Sequence, residues 1–259
     1  MGSTCREELG AVVRGERADS KTRRQETRKQ QVRQQIWDRL QADGNARFPY
    51  PPHGRIPNFA GAREAAERLF ELELLEGARR IKVNPDAPQR PVRLEALRRG
   101  IEVYMPTPRL RGGFLCLDPK VIAPADLSRA ASLSGAGRFA REVPLDEMPE
   151  LDFLVVGSVA VSRDGGRCGK GEGYADLEYG ILRSLGHPAY PVVTSVHSTQ
   201  VVASLPRAAT DLPLGYIVTP EEVHVVDPVP TPPSGIDWSR LSEERLDAMP
   251  VLRELADLV

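Results

Sequence analysis

The most apolar run of the chain is LDFLVVGSVAVS, residues 151–162. Its unbroken, β-branched-rich character predicts a central strand buried on both faces, the kind found in parallel sheets covered by helices. Glycines follow at 165, 166, 169, 171 and 173, and then a helix-like run from about Asp176 to Leu185. Strand, glycine loop and helix in this order demand an α/β design. They leave open whether the loop cradles phosphate or only turns the chain.

The flanking sequence supports such a design. Helices are predicted over 22–41, with Thr22 and Gln25 as a capping box and Val32, Ile36, Trp37 and Leu40 on one face, and over the Ala-rich segment after Gly61. Strands are predicted over 80–86, 101–108, 112–118, 190–196, 215–219 and 222–227, with a helix over 91–100. The Pro-rich stretch 48–59 is read as irregular, and 228–235 as a linker to an amphipathic helix over 239–254. Alternating strands and helices imply a largely parallel sheet with helices on both faces. Residues 1–20 lack periodicity and read as a disordered basic extension; residues 1–40 hold ten Lys and Arg against six Asp and Glu. The chain has no run of 18 apolar residues and no apolar segment near Met1, so no membrane span and no secretory signal is expected. Arg6 stands where a myristoylation motif wants Ser or Thr. Cys5, Cys116 and Cys168 are widely spaced, which fits a reducing compartment, and a cytoplasmic location is expected.

Glycine loops bind phosphate because a backbone without Cβ approaches closely, its N–H groups converge, and the next helix adds positive potential. Arg167 and Lys170 add full charges at the same place, and Asp176 is suited either to holding Mg²⁺ or to capping the helix. Neither standard nucleotide motif is present. Lys170 is followed by Gly171 rather than Ser or Thr, and GKGEGYA places Tyr174 where a dinucleotide fingerprint wants its third glycine. Cys168 lies within the basic loop, a setting that lowers a thiol pKa. His197, at the end of a predicted strand, is either catalytic or a hydrogen-bonded structural residue.

The spacing G-x-R-x-G-x-G-x-G-Y-x-D, Gly165 to Asp176, resembles the signature loop of 5-formyltetrahydrofolate cyclo-ligases. KQQVR (29–33) is similar to that family's N-terminal K-x-x-x-R, and LPRAATDLPLGYIVT (205–219) to its late acidic segment. FPYPPHGRIPNFAGAREAA, KVNPDAPQRPVRLEALRRG and YMPTPRLRGGF resemble a divergent branch, the methenyltetrahydrofolate synthetase domain-containing proteins.

The resemblance implies a NagB/RpiA/CoA-transferase-like α/β fold over residues 21–228, with 229–259 as linker and C-terminal helix. It implies that Lys29, Arg33, Arg167, Cys168, Gly169, Lys170, Gly171, Glu172, Gly173, Tyr174 and Ala175 meet ATP. Asp176 and Asp211 would hold Mg²⁺, and Lys170 and Arg167 would assist the chemistry. The implied reaction transfers phosphate from ATP to the formyl oxygen of 5-formyltetrahydrofolate; N10 then attacks and phosphate leaves, giving 5,10-methenyltetrahydrofolate. A small reduced folate is the expected partner, with neither membrane nor nucleic acid involved, and a monomer is expected. Departures fall on the folate side. Ala175 replaces a second tyrosine, Thr210 a histidine and Gly215 an acid, while Glu64 is not an aligned match for the pterin-gripping carboxylate. The alternative implied is a nucleotide- or folate-binding protein without turnover, linked to thiamine metabolism.

Overall fold

The structure, a computed structural model, describes the backbone of residues 4–259 and the side chains of residues 22–259. Helix α1 runs over Thr4–Ala42, so the backbone is helical through most of the stretch expected to lack order. Residues 1–3 and the side chains of 4–21, Cys5 included, lie outside the described residues. Thr22 therefore sits inside α1 and not at a capped start. Gln25 Nε2 donates instead to the Arg207 carbonyl at 3.1 Å. The ends of the Pro-rich stretch are pinned by a short antiparallel pair, β1 (Ala46–Arg47) with β2 (Asn58–Phe59).

The chain continues through α2 (Ala62–Leu69), β3 (Arg80–Val83), α3 (Arg90–Arg98), β4 (Glu102–Pro106) and β5 (Phe114–Leu117). Two single turns, α4 (Leu127–Ala130) and α5 (Leu133–Ala136), lead to β6 (Arg141–Val143), which the sequence reading missed. Next come β7 (Phe153–Val156), β8 (Ala160–Ser162), β9 (Arg167–Cys168) and α6 (Tyr174–Ser184). The last elements are β10 (Val192–Ser195), β11 (Val201–Val202), β12 (Tyr216–Val218), β13 (Val223–Val225), α7 (Glu243–Ala248) and α8 (Pro250–Leu258).

Eight strands form the main sheet in the order β13-β12-β10-β7-β3-β4-β5-β6. The five inner strands from β12 to β4 are parallel, and β13, β5 and β6 are antiparallel additions at the edges. Every residue of β7 is buried, as its composition requires. Leu154 and Val156 face one core cluster with Tyr179 and Leu182 of α6 and Leu252 and Leu255 of α8. Phe153 and Val155 face the other, with Leu69 of α2 and Val92 and Ala96 of α3. Helices thus cover both faces, as expected.

Two further elements differ from the sequence reading. The apolar run is not one strand. It leaves the main sheet at Gly157, and β8 joins a separate sheet of order β11-β8-β9. A side chain at 157 would meet Asp86 Oδ2 at 2.8 Å and Ile56 Cγ2 at 2.9 Å, so the crossing point requires glycine. The C-terminal helix is two helices, broken at Met249–Pro250, because proline lacks the N–H that a continuous helix would need.

Candidate functional site

A cavity of about 320 Å³ lies beyond the C-terminal ends of β3 and β7, where Asn84, Asp86 and Gly157 line it. That end of a parallel sheet is where α/β folds place ligands. One wall comes from α1. Its buried stripe carries Ile36, Trp37 and Leu40 at one end and continues, at helical spacing, into Arg33 and Lys29. The two cations are 3 % and 8 % exposed, so they belong to the packed face and not to a solvated one.

The glycine loop forms the second wall. Gly173 caps α6 in the left-handed region, φ 71°, and Gly171 has φ 108°, conformations that an L side chain resists. The loop turns sharply here, delivering the N-terminal amides of α6 to the cavity, where they carry the helix's positive end. α6 begins at Tyr174, so Asp176 lies in its first turn and does not serve as the cap.

The charged groups are paired. Lys29 Nζ meets Asp211 Oδ2 at 2.6 Å. Arg33 donates through Nε to the Gly169 carbonyl at 2.7 Å and through Nη1 to Glu26 Oε1 at 2.6 Å. Lys170 Nζ meets Glu172 Oε2 at 2.7 Å. Arg167 is buried beneath the loop, donating to the Gly157 carbonyl at 2.9 Å and to Asp176 Oδ1 at 3.0 Å. Burial opposes its charge, but Asp176 more than offsets this, and its pKa is raised above the usual arginine value. Among the described residues its Nε has no hydrogen-bond partner. Asp176 Oδ1 also accepts the Leu212 amide at 2.9 Å, which brings the two predicted metal ligands, Asp176 and Asp211, to adjoining parts of the wall.

Among the described residues no cluster of three or more metal-ligating side chains exists. The donor set nevertheless suits a magnesium ion held with a polyphosphate, since Mg²⁺ takes one or two carboxylates plus phosphate oxygens and waters. Among the described residues Asp176 engages only Oδ1 and Asp211 only Oδ2 in hydrogen bonds.

Lys29, Arg33, Arg167, Gly169, Lys170, Gly171, Glu172, Gly173, Tyr174, Ala175, Asp176 and Asp211 all line the one cavity. Cys168 does not. It is buried beside Ile36, Trp37 and Leu40, with its thiol toward the Lys29 carbonyl. Burial pushes that thiol up in spite of Arg33 and Lys29, against the lowered pKa its basic neighbours suggested. His197 is structural: its Nδ1 accepts the Thr199 amide at 3.1 Å and caps a short turn.

The sequence reading missed what supports the cavity. Asn84 lines it, and behind Asn84 lie Lys82 and Glu178, with Lys82 Nζ on Glu178 Oε2 and Asn84 Nδ2 on the same oxygen at 3.0 Å. Arg93 of α3 fixes the adjoining turn, donating to the carbonyls of Asn84 at 2.5 Å and Asp86 at 3.1 Å; burial pushes its pKa down to about 10. Asp86 stands over Gly157, and burial raises its carboxyl pKa although Lys170 draws it down. A lone lysine inside an apolar strand was the available signal, because a buried charge requires a partner.

The sequence model of the 5-formyltetrahydrofolate cyclo-ligase family matches residues 24–220. The chain is 47 % identical over 236 residues to a methenyltetrahydrofolate synthase domain-containing protein of Mus musculus, covering 88 % of this chain and 63 % of that one. To the Homo sapiens protein of the same name it is 40 % identical over 234 residues, covering 88 % and 61 %. It spans about three fifths of the length of these curated relatives. The structure of the Aquifex aeolicus 5,10-methenyltetrahydrofolate synthetase aligns over 82 % of this chain and 99 % of that one, at 19 % identity and a TM-score of 0.48. With the family match spanning the α1 stripe, the glycine loop and the Asp211 segment, the chain belongs to the 5-formyltetrahydrofolate cyclo-ligase family.

Proposed function

We propose that the chain binds ATP with Mg²⁺ in this cavity and uses it to cyclise 5-formyltetrahydrofolate, or a closely related reduced folate, to the 5,10-methenyl form. The observation that carries the reading is the convergence of Lys29, Arg33, Lys170 and the amides at the start of α6 on one cavity beside Asp176 and Asp211. In such a reaction the formyl oxygen accepts the terminal phosphoryl group, N10 closes on the activated carbon, and inorganic phosphate departs. Magnesium, when bound, neutralises charge on the phosphates. Asp176 and Asp211 would hold it.

The protein's part is positioning and charge stabilisation. Lys170 is half-buried on the loop and lies with the moving phosphoryl group. Arg167 acts from below: its guanidinium sets Asp176 and the Gly157 carbonyl. Asp86 and Asn84 supply further polar groups to the cavity, for contact with the second substrate.

The test is the full chain with ATP, Mg²⁺ and 5-formyltetrahydrofolate, followed by methenyl-product absorbance and released phosphate in equal amounts. Asp176→Asn is expected to lower the rate at least about tenfold, the usual scale for losing a group that holds a catalytic metal. No product at high protein concentration overturns the turnover reading. Ala175, in place of the family's second tyrosine, favours the second reading, binding without turnover. ATP protection against unfolding with no product supports that one.

A further inference from the structure

The family match ends at residue 220, yet the wall of the cavity does not. Ile236, Asp237, Arg240, Leu241 and Arg245 of the C-terminal segment line it too. That segment is fixed, not draped. Ile236 donates its amide to Ser184 Oγ at 3.0 Å and sits against Gly180, where a Cβ would meet Ile236 Cδ1 at 2.7 Å. Beyond it, Met249, Val251, Leu252 and Leu255 are buried in the core cluster that contains Tyr179 and Leu182. Both anchors are on α6, the helix whose first turn carries the glycine loop. The segment is therefore a strap along the cavity wall, positioned by the same element as the loop.

Two arginines ride on the strap. Arg245 Nη2 donates to the Glu172 carbonyl at 2.6 Å and lies 3.0 Å from the place a Cβ would take on Gly173. Arg240 Nη1 donates to Thr210 Oγ1, next to Asp211, at 3.0 Å. Their partners set them apart. Among the described residues Lys29, Arg33, Arg167 and Lys170 each form an ion pair with a carboxylate, whereas Arg240 and Arg245 contact only neutral oxygens. They are thus cations of the lining held by no carboxylate, although Asp237 of the strap also lines the cavity. The buried, unpartnered Arg167 Nε beneath the same loop is a further donor that the protein itself leaves unsatisfied.

We infer that the strap completes the anion site, and that Arg245, with Arg240 at the rim, binds the outer phosphates of a nucleoside triphosphate. This rests on the nucleotide reading above. Guanidinium groups suit the task because they present several donors in a fixed fork to phosphate oxygens. A triphosphate would be gripped between the α1–loop wall and the strap, and a monophosphate, which lacks the outer groups, would gain little from the arginines.

The experiment measures equilibrium binding of Mg·ATP and of AMP to the full chain and to Arg245→Gln, Arg240→Gln and the double variant. It records unfolding temperature without nucleotide alongside. Arg245→Gln is expected to weaken ATP about tenfold or more, and Arg240→Gln, being more exposed, by a few-fold. AMP affinity and the nucleotide-free unfolding temperature should stay unchanged, and Arg245→Lys should recover part of the loss. ATP affinity within twofold of wild type in the double variant overturns the strap's role and leaves the nucleotide reading standing. Equal losses for ATP and AMP mark general damage and also overturn it. A wild-type chain that binds no ATP removes the nucleotide reading, and the inference with it.

Discussion

Asp86 is a carboxylate held where its charge is penalised. Burial keeps its proton on to a higher pH than in the unfolded chain, whose Asp ionises near 4, although Lys170 offsets part of this. Between those two values the native state binds more protons than the unfolded state, so stability falls as pH rises through the window. Asp86→Asn removes that slope. Relative to wild type, the variant should show no gain below about pH 4 and a growing gain as pH rises until the folded carboxyl is fully ionised. Urea titrations from pH 4 to 8 check this, and parallel curves for the two proteins would contradict it. Lys82 obeys the opposite logic, being fully buried and ion-paired with Glu178. Lys82→Met alone leaves a buried carboxylate uncompensated and should cost about 3–5 kcal/mol in chemical denaturation. Adding Glu178→Leu should restore most of it, because two apolar groups satisfy each other where one charge cannot.

At the level of elements, the inner strands β3, β4, β7, β10 and β12 were legible in the sequence because their short runs are rich in β-branched and aromatic residues, β7 being apolar throughout. α3 was legible through the proline in its first turn and Gly100 after its end. What escaped was decided by tertiary contact. β6, Arg141–Val143, reads exposed, exposed, buried, a pattern too short to stand out from a loop. The division of the 151–162 run at Gly157 depends on Asp86 and Ile56, some 70 and 100 residues earlier in the chain. The site divides the same way. Its loop is local and legible. The buried pair behind Asn84 joins a strand lysine to a helix glutamate 96 residues apart, and nothing in either segment names the other. The Gly157 crossing makes its own prediction. Gly157→Ala forces Asp86 or Ile56 to shift and should cost about 1–3 kcal/mol, the scale of overpacking. Gly137→Ala, whose Cβ would meet nothing within 4 Å, is the matched control and should change stability little.

For the molecule as a whole, the question is whether residues after 228 are an appendage, as the sequence suggested, or part of the cooperative unit. The packing favours the unit. Gly165 of the loop region lies against Pro230, Ile236 against Gly180, and Leu252 and Leu255 are wholly buried in the cluster that holds β7 against α6. An appendage would unfold alone; a shared core cannot. The two tryptophans allow the distinction to be read directly. Trp37 is buried on α1, far along the chain, while Trp238 lies on the strap and is 37 % exposed. In a Trp238→Phe background, fluorescence reports only the surroundings of Trp37. Leu252→Ala, which removes a fully buried leucine from α8, should then lower stability by about 2–5 kcal/mol. Because small cooperative units unfold all or none, the Trp37 transition should move to lower denaturant by that whole amount, in one step. If the strap is an appendage, the Trp37 midpoint stays where it was while far-ultraviolet helicity is lost in a separate, earlier transition. The first outcome ties the strap's arginines to the glycine loop through one shared core, so that any event loosening α8 also loosens the cavity wall.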